Sequence, residues 1–370
     1  MDLTPYTFFY CSHFILGTGL ISSWFVADLI LSRGDAKAYH IVQAIGSSSL
    51  EKGSAFVAKH IPGTTPKVYG SYDELYQDPD VDVVYIGTPH AFHKKNCLDA
   101  IAAGKHVLCE KAFTITSKEA EDVFAAARAR DTFIMEAMWT RFTPLVLTLQ
   151  KKLFEEKVIG DVRRTFCDFG LDMDIAALSV DSRLKNPGLG AGSLLDIGIY
   201  SLTWGLLTLD ARIGEQAEKP NIVAVQTLSD RIDISSSVLL QYPSTGRQGI
   251  LTSTMESKTD HAFCRIEGTE GYIIVEGIAA SAPDTFIIYS KNFGSSKGDV
   301  SGKTAKPNGE VFKFDRVGTG FYWEADAVAV DIVEGKRENT IMPHAETLRL
   351  MKIMDEIRRQ GGARFPQDDQ

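Results

Sequence analysis

The chain has 370 residues, enough for two domains that each bury a core, and is 44% hydrophobic and 24% charged, the composition of a soluble globular protein. Its formal net charge of -9 lacks the basic footprint of a nucleic-acid binder or of a protein held on an acidic membrane. Five cysteines at 11, 97, 109, 167 and 264, with no C-x-x-C pair, form no disulfide framework or zinc ribbon and suit a reducing, cytoplasmic setting.

The first apolar run is at 8–16. The longer stretch 14–31 has one charge, Asp28, two glycines, and no Lys or Arg ahead of it, so a strand and a helix are expected rather than a membrane span or signal peptide. Leu16-Gly17-Thr18-Gly19-Leu20-Ile21-Ser22 follows the run and opens a helix. In this G-x-G-x-x-small pattern the first glycine turns the chain and the second lets a pyrophosphate approach the backbone. The helix N-terminus adds amide donors, so Gly17, Thr18, Gly19, Leu20 and Ile21 are expected at a dinucleotide. Cys11-Ser12-His13 interrupts the apolar pattern, read as a hydrogen-bonded irregularity or a strand that begins at His13.

Further apolar runs at 40–45, 81–86, 106–109 and 133–135 alternate with helix-period stretches at 22–32, 50–60, 92–103 and 117–130. That alternation predicts βαβ units and a parallel sheet, in a dinucleotide-binding domain over 8–138. At the tip of the second strand a NAD enzyme usually places an acid on the ribose hydroxyls. Here the chain reads Gly46-Ser47-Ser48-Ser49-Leu50-Glu51-Lys52. Ser47, Ser48, Ser49 and Lys52 suit a 2′-phosphate, so NADP is expected over NAD, while Ser48-x-x-Glu51 also reads as a capping box. Next, Gly87-Thr88-Pro89-His90-x-x-His93 sets a tight loop and two histidines before a helix. That pair lacks a third clustered ligand, and no metal is expected. The run at 106–109 stops on Glu110-Lys111.

From 139 to 370 the character changes. A helix at 144–156 precedes strand-like alternations at 162–171, 222–227, 235–241, 249–255, 262–267, 271–275 and 285–289, then a Ser-, Gly- and Lys-rich loop at 290–306 and helices at 320–334 and 345–359. Gly, Pro and Asp turns between the strands predict a large, mostly antiparallel sheet. The fold class is therefore α/β, an N-terminal Rossmann-type domain followed by an α+β domain.

Six motifs in order, G-T-G-x-I-S, Y-I-G-T-P-H-x-x-H, A-G-K-H-V-L-C-E-K, M-E-A-M-W-T-R-F, L-L-D-I-G-I-Y and F-P-Q-D, resemble the Gfo/Idh/MocA oxidoreductases, nearest the dimeric dihydrodiol dehydrogenases and NADP-dependent D-xylose dehydrogenases. The resemblance implies an active site between the domains and a homodimer through the open C-terminal sheet. It implies Lys111 as the catalytic lysine, Glu110 near the nicotinamide ribose, and Thr88, Pro89, His90 and His93 beside the cofactor. Asp196 and Tyr200, one helical turn apart, would supply the acid/base, with Trp139, Arg141 and Phe169 around cofactor and substrate. Taking hydride from a carbinol carbon needs a base for its hydroxyl proton, and a nearby ammonium favours the phenolate of a Tyr. Two departures stand out. Ala112 replaces the proline of E-K-P, and Ser281 stands where the dihydrodiol enzymes carry a pocket Trp, which favours a sugar over an aromatic diol. The expected activity is NADP-dependent oxidation of an aldose at its anomeric hydroxyl. The alternatives are dihydrodiol oxidation, carbonyl reduction in a biosynthetic pathway, redox-type glycoside cleavage, or a non-catalytic dinucleotide-binding regulator.

Overall fold

Phe14, Ile15 and Leu16 close the first apolar run with no solvent exposure, at the centre of a six-stranded sheet. The strands are β1 (Phe9–Leu16), β2 (Ala38–Gly46), β3 (Lys67–Tyr69), β4 (Val83–Ile86), β5 (His106–Glu110) and β6 (Ile134–Ala137). They lie in the order β3-β2-β1-β4-β5-β6, all parallel. Helices α1 (Leu20–Leu29), α2 (Leu50–His60), α3 (Tyr72–Tyr76), α4 (His93–Ala102) and α5 (Ser117–Ala129) connect them. Every residue of β4 and β6 is buried, as a parallel sheet covered on both faces requires. This is the Rossmann order, with a switch point between β1 and β4. Neither β3 nor α3 is predicted, since elements so short show no periodicity.

The computed structural model describes residues 9–290 and 309–369, so the loop expected at 290–306 falls, from 291 on, outside the described residues. In the C-terminal part, α6 (Pro144–Gln150) runs into a π-helical turn, and β7 (Val162–Gly170) precedes α7 (Ile199–Leu209). Then come β8 (Asn221–Ser229), β9 (Ile232–Gln241), β10 (Gln248–Thr254), β11 (Ala262–Gly268), β12 (Gly271–Ala279), β13 (Ala282–Ser290) and β14 (Glu310–Lys313). Their order is β14-β13-β12-β11-β7-β10-β9-β8, antiparallel except for the parallel pair β7 and β10. Helix α7, buried at every position, covers one face of this sheet. It approaches closely because Gly205 has no side chain: a Cβ there would lie 2.5 Å from Leu251.

Two helices complete the chain, α8 (Tyr322–Val333) and α9 (His344–Gly361). The described residues form two compact units. One runs to Phe142 and takes in Val317–Leu348; the other comprises Thr143–Arg316 and the segment from Arg349. The division is thus discontinuous, where the sequence suggests a single boundary at 138/139. Asp28 ties the returning segment down. Its buried carboxylate accepts from the backbone N–H groups of Thr319 at 2.9 Å, Gly320 at 2.6 Å and Phe321 at 2.8 Å, just ahead of α8. The lone charge of the apolar stretch 14–31 is therefore an anchor inside the first unit.

Candidate active site

In the first unit, the carboxyl ends of the parallel strands bring the predicted cofactor residues to one edge. Gly17 has φ +95°, and a Cβ on it would lie 3.1 Å from the Gly87 carbonyl oxygen, so only glycine fits this turn. Gly19 is the N-cap of α1 and offers no side-chain acceptor to the amides of the first turn, which include those of Leu20 and Ile21. Thr18 Oγ1 lies 3.4 Å from Ser47 Oγ.

At the tip of β2 the structure corrects one detail. The N-cap of α2 is Ser49, whose hydroxyl accepts from Lys52 N at 3.2 Å, so Ser48-x-x-Glu51 is not the capping box. Ser47 is buried and its N–H donates to the Tyr69 carbonyl. Ser48 is thereby released to the surface, where Lys52 Nζ donates to its hydroxyl at 3.2 Å. An exposed hydroxyl and ammonium, without a carboxylate at the strand tip, suit a phosphate dianion better than ribose hydroxyls.

Beyond β4, Thr88 is held from α4: Asn96 donates to its hydroxyl at 3.0 Å, and His93 Nε2 meets its carbonyl oxygen at 2.7 Å. His93 Nδ1 lies 3.0 Å from the Ala112 carbonyl oxygen. The ring is fully buried, which pushes its pKa down, and both nitrogens are engaged by backbone. His93, expected at the cofactor, thus braces the Thr88 loop against the turn after Lys111. His90 is also buried, its ring perpendicular to that of His93, and Pro89 adopts the extended backbone that leads into a short helical turn at His90–Phe92.

The turn at Lys111 is held without a proline. Glu110, buried at the end of β5, accepts from the Tyr85 hydroxyl at 2.6 Å and from Lys111 N at 3.2 Å. Glu136 Oε1 accepts from Phe113 N at 3.0 Å. The Lys111–Ala112 peptide bond is cis. Lys111 itself is partly exposed at the strand end. Burial pushes the Glu136 carboxyl up to about 7, and raises that of Glu324, also buried and near Glu110.

Two aromatic and cationic expectations change in character. Trp139 packs on Phe321, ring centroids 4.8 Å apart. Arg141, expected at the cofactor, is buried; it donates to the Ile341 carbonyl at 3.2 Å and pairs with Glu346 at 3.1 Å. Its guanidinium thus ties the short helical turn at Trp139–Phe142 to the first turn of α9 and to Ile341 just ahead of it.

In the second unit, Tyr200 is buried at the start of α7, its ring centroid 5.7 Å from that of Phe169 on β7. Asp196 is one turn earlier, in a π-helical turn at Leu194–Gly198 rather than in regular α-helix, and pairs with Arg183 at 3.2 Å. Sequence reasoning missed the group that fixes this segment. Buried Asp233 on β9 accepts at one oxygen from Ser193 Oγ at 2.7 Å, Leu194 N at 2.7 Å and Ser236 Oγ at 2.9 Å. A charged residue inside an apolar strand pattern, Ile232-Asp233-Ile234 or Met135-Glu136-Ala137, is the signal that marks both supporting acids.

Comparison with known proteins follows the same division. Residues 12–138 match the model of an oxidoreductase family with an NAD-binding Rossmann fold, and residues 148–274 match the Gfo/Idh/MocA C-terminal domain. The chain is 34% identical to the D-xylose 1-dehydrogenase (NADP+) of Hypocrea jecorina, over 95% of this chain and 92% of that one. It is 35% identical to the trans-1,2-dihydrobenzene-1,2-diol dehydrogenase of Sus scrofa, over 96% and 98%. The aldose-aldose oxidoreductase of Caulobacter crescentus, solved with glycerol, shares the fold with a TM-score of 0.77 at 22% identity, over 95% of this chain and 98% of that one.

Proposed function

The chain belongs to the Gfo/Idh/MocA oxidoreductase family, and from that premise we propose that it is an NADP-dependent dehydrogenase oxidising the anomeric hydroxyl of an aldose such as D-xylose to the lactone. The carrying observation is the carboxyl edge of the parallel sheet. The Gly17–Gly19 loop, the Ser47–Lys52 turn, the Thr88–His90 loop and Lys111 all follow strand ends around the β1/β4 switch point, where open α/β sheets bind ligands. The residues fit a dinucleotide: amides of the first turn of α1 for the pyrophosphate, Ser48 and Lys52 for the 2′-phosphate, Glu110 for the nicotinamide ribose. When bound, the oxidised nicotinamide supplies the hydride acceptor.

Tyr200 takes the hydroxyl proton as the carbinol C–H electron pair departs and the C–O bond becomes a carbonyl. Asp196, one turn before Tyr200, completes the acid/base set, and Lys111 is the proposed cation that favours the phenolate. Ser281, in the turn between β12 and β13, supports a polyhydroxylated substrate over an aromatic one. We also propose a homodimer through the face of the second sheet that α7 leaves uncovered, where Tyr272 stacks on Tyr289 and Ile274 pairs with Ile287. The five cysteines, all unbridged and buried, support a reducing, cytoplasmic setting.

The test is steady-state NADP+ and NAD+ reduction with a panel of aldoses and a trans-dihydrodiol. A pentose is expected to turn over with NADP+ at least about tenfold better than with NAD+. Tyr200→Phe and Lys111→Ala should each lower kcat by about 100-fold or more, and the double variant should lose little beyond either single one, since the two act as a unit. Survival of Tyr200→Phe within about threefold, under about 1 kcal/mol of barrier, would remove Tyr200 as the base. Tight NADPH binding without turnover of any substrate would instead mark a dinucleotide-binding regulator.

A further inference from the structure

The polar interruption Cys11-Ser12-His13 plays no part in the dinucleotide site. Cys11 and His13, two apart on β1, share one face of the sheet, and the register sets Cys11 opposite His40 on β2. All three side chains are buried, with 3% of Cys11, none of His13 and 2% of the His40 side chain exposed. One ligand atom from each lies within 4.8 Å of the other two. Behind them, Asp326 on α8 takes His40 Nε2 at 2.8 Å on one oxygen and Arg33 at 2.8 Å on the other. His40 Nδ1 faces His13 Nε2 at 2.8 Å.

Proton positions follow from the carboxylate. Asp326 accepts, so the proton of a neutral His40 sits on Nε2, and its Nδ1 lone pair accepts from His13 Nε2–H. His13 Nδ1 is left as a lone pair that no hydrogen-bond donor among the described residues reaches. Two imidazole nitrogens that face each other at 2.8 Å beside a buried thiol form a donor set in which their shared proton gives way to one electrophile, His13 then binding through Nε2 and carrying its proton on Nδ1.

We propose that Cys11, His13 and His40 bind one Zn²⁺ ion inside the first unit, with Asp326 orienting His40. Zinc takes thiolate and imidazole ligands, and a carboxylate on the outer N–H of a ligating histidine is its usual support. The Cys11 thiolate offsets one charge of the ion, the Asp326 carboxylate being shared between His40 and Arg33, and binding releases the thiol proton to solvent. With Zn–N of about 2.0–2.1 Å and Zn–S of about 2.3 Å, ligand atoms stand roughly 3.3–3.8 Å apart. The His13–His40 contact therefore opens by about 0.5 Å and the widest separation closes by about 1 Å. Three protein ligands leave one position for water. The ion would clamp β1 to β2 and, through Asp326, to α8. The sequence hides this set because His40 lies 27 residues beyond His13.

The test uses the full chain, loaded with zinc, desalted, and assayed by elemental analysis, then with Co²⁺ in place of zinc. About one zinc per chain is expected, together with a near-ultraviolet thiolate-to-cobalt charge-transfer band that added zinc abolishes. Cys11→Ser and His40→Gln should each lower retained zinc at least about tenfold, and Cys11→Ser should also remove the charge-transfer band. NADPH affinity is read alongside, so that failure of the dinucleotide reading stays separate. Zinc below about a tenth of an equivalent in the wild-type chain, or zinc retained with no thiolate band, overturns the proposal. The wild-type measurements decide this even if a variant does not fold.

Discussion

Glu136 offers a quantitative test of how the turn after Lys111 is supported. It sits in β6, where every residue is buried, with one oxygen accepting from Phe113 N and the Thr347 hydroxyl beside the carboxyl group. Burial raises its carboxyl from 4.5 to about 7. A folded-state pKa above the unfolded one means that folding takes up a proton, so the associated stability is fully present below about 4.5 and is lost as pH rises through about 7. Integrated from about pH 5 to about pH 8, those two values give a loss of about 2.5 kcal/mol from this one group. Glu136→Gln keeps an oxygen for Phe113 N but cannot ionise. Its stability should match that of the wild type at about pH 5 and exceed it by about 2 kcal/mol at about pH 8. Urea unfolding of both chains across this range, followed by Tyr and Trp fluorescence, measures the difference. Parallel pH profiles would refute the reasoning, because every other titrating group is common to the two chains.

Other perturbations separate positioning from binding. Asp233→Ala strands three buried donors at Ser193, Leu194 and Ser236 and should cost about 3–5 kcal/mol in thermal unfolding. Asp233→Asn should lose under about 1.5 kcal/mol, since all three converge on one oxygen that an amide carbonyl can replace; equal losses would count against this account. Gly17→Ala forces a Cβ to 3.1 Å from the Gly87 carbonyl at φ +95° and should weaken NADPH binding about tenfold or more by fluorescence titration; unchanged affinity would show that the turn is not at the cofactor. Lys52→Glu should raise the NADPH Kd about tenfold, near 1.4 kcal/mol, while NADH affinity stays within about twofold; equal changes would remove the 2′-phosphate from this tip.

The alternation of apolar runs and helical stretches was enough for the parallel sheet, because β4, β5 and β6, buried on both faces, leave an unbroken hydrophobic signature. The glycine turn was equally legible: a positive φ beside a neighbouring backbone admits little else. Elements of three to five residues, β3 and α3, left no period to read. Roles that depend on a partner far along the chain were also hidden. The pairing of Arg141 with Glu346, and of the two His93 nitrogens with Thr88 and Ala112, could not be read from any local pattern.

By itself, then, the sequence determined the Rossmann and antiparallel architecture, the family, and the residues at strand ends, since local periodicity and short motifs encode them. Only the tertiary structure decided that Ser49 caps α2 and frees Ser48, that Asp28, Glu136 and Asp233 are buried acids holding backbone amides, and that Cys11, His13 and His40 converge. A side chain's chemistry is set by its neighbours in space, and those neighbours are contributed by segments whose separation along the chain carries no local signal.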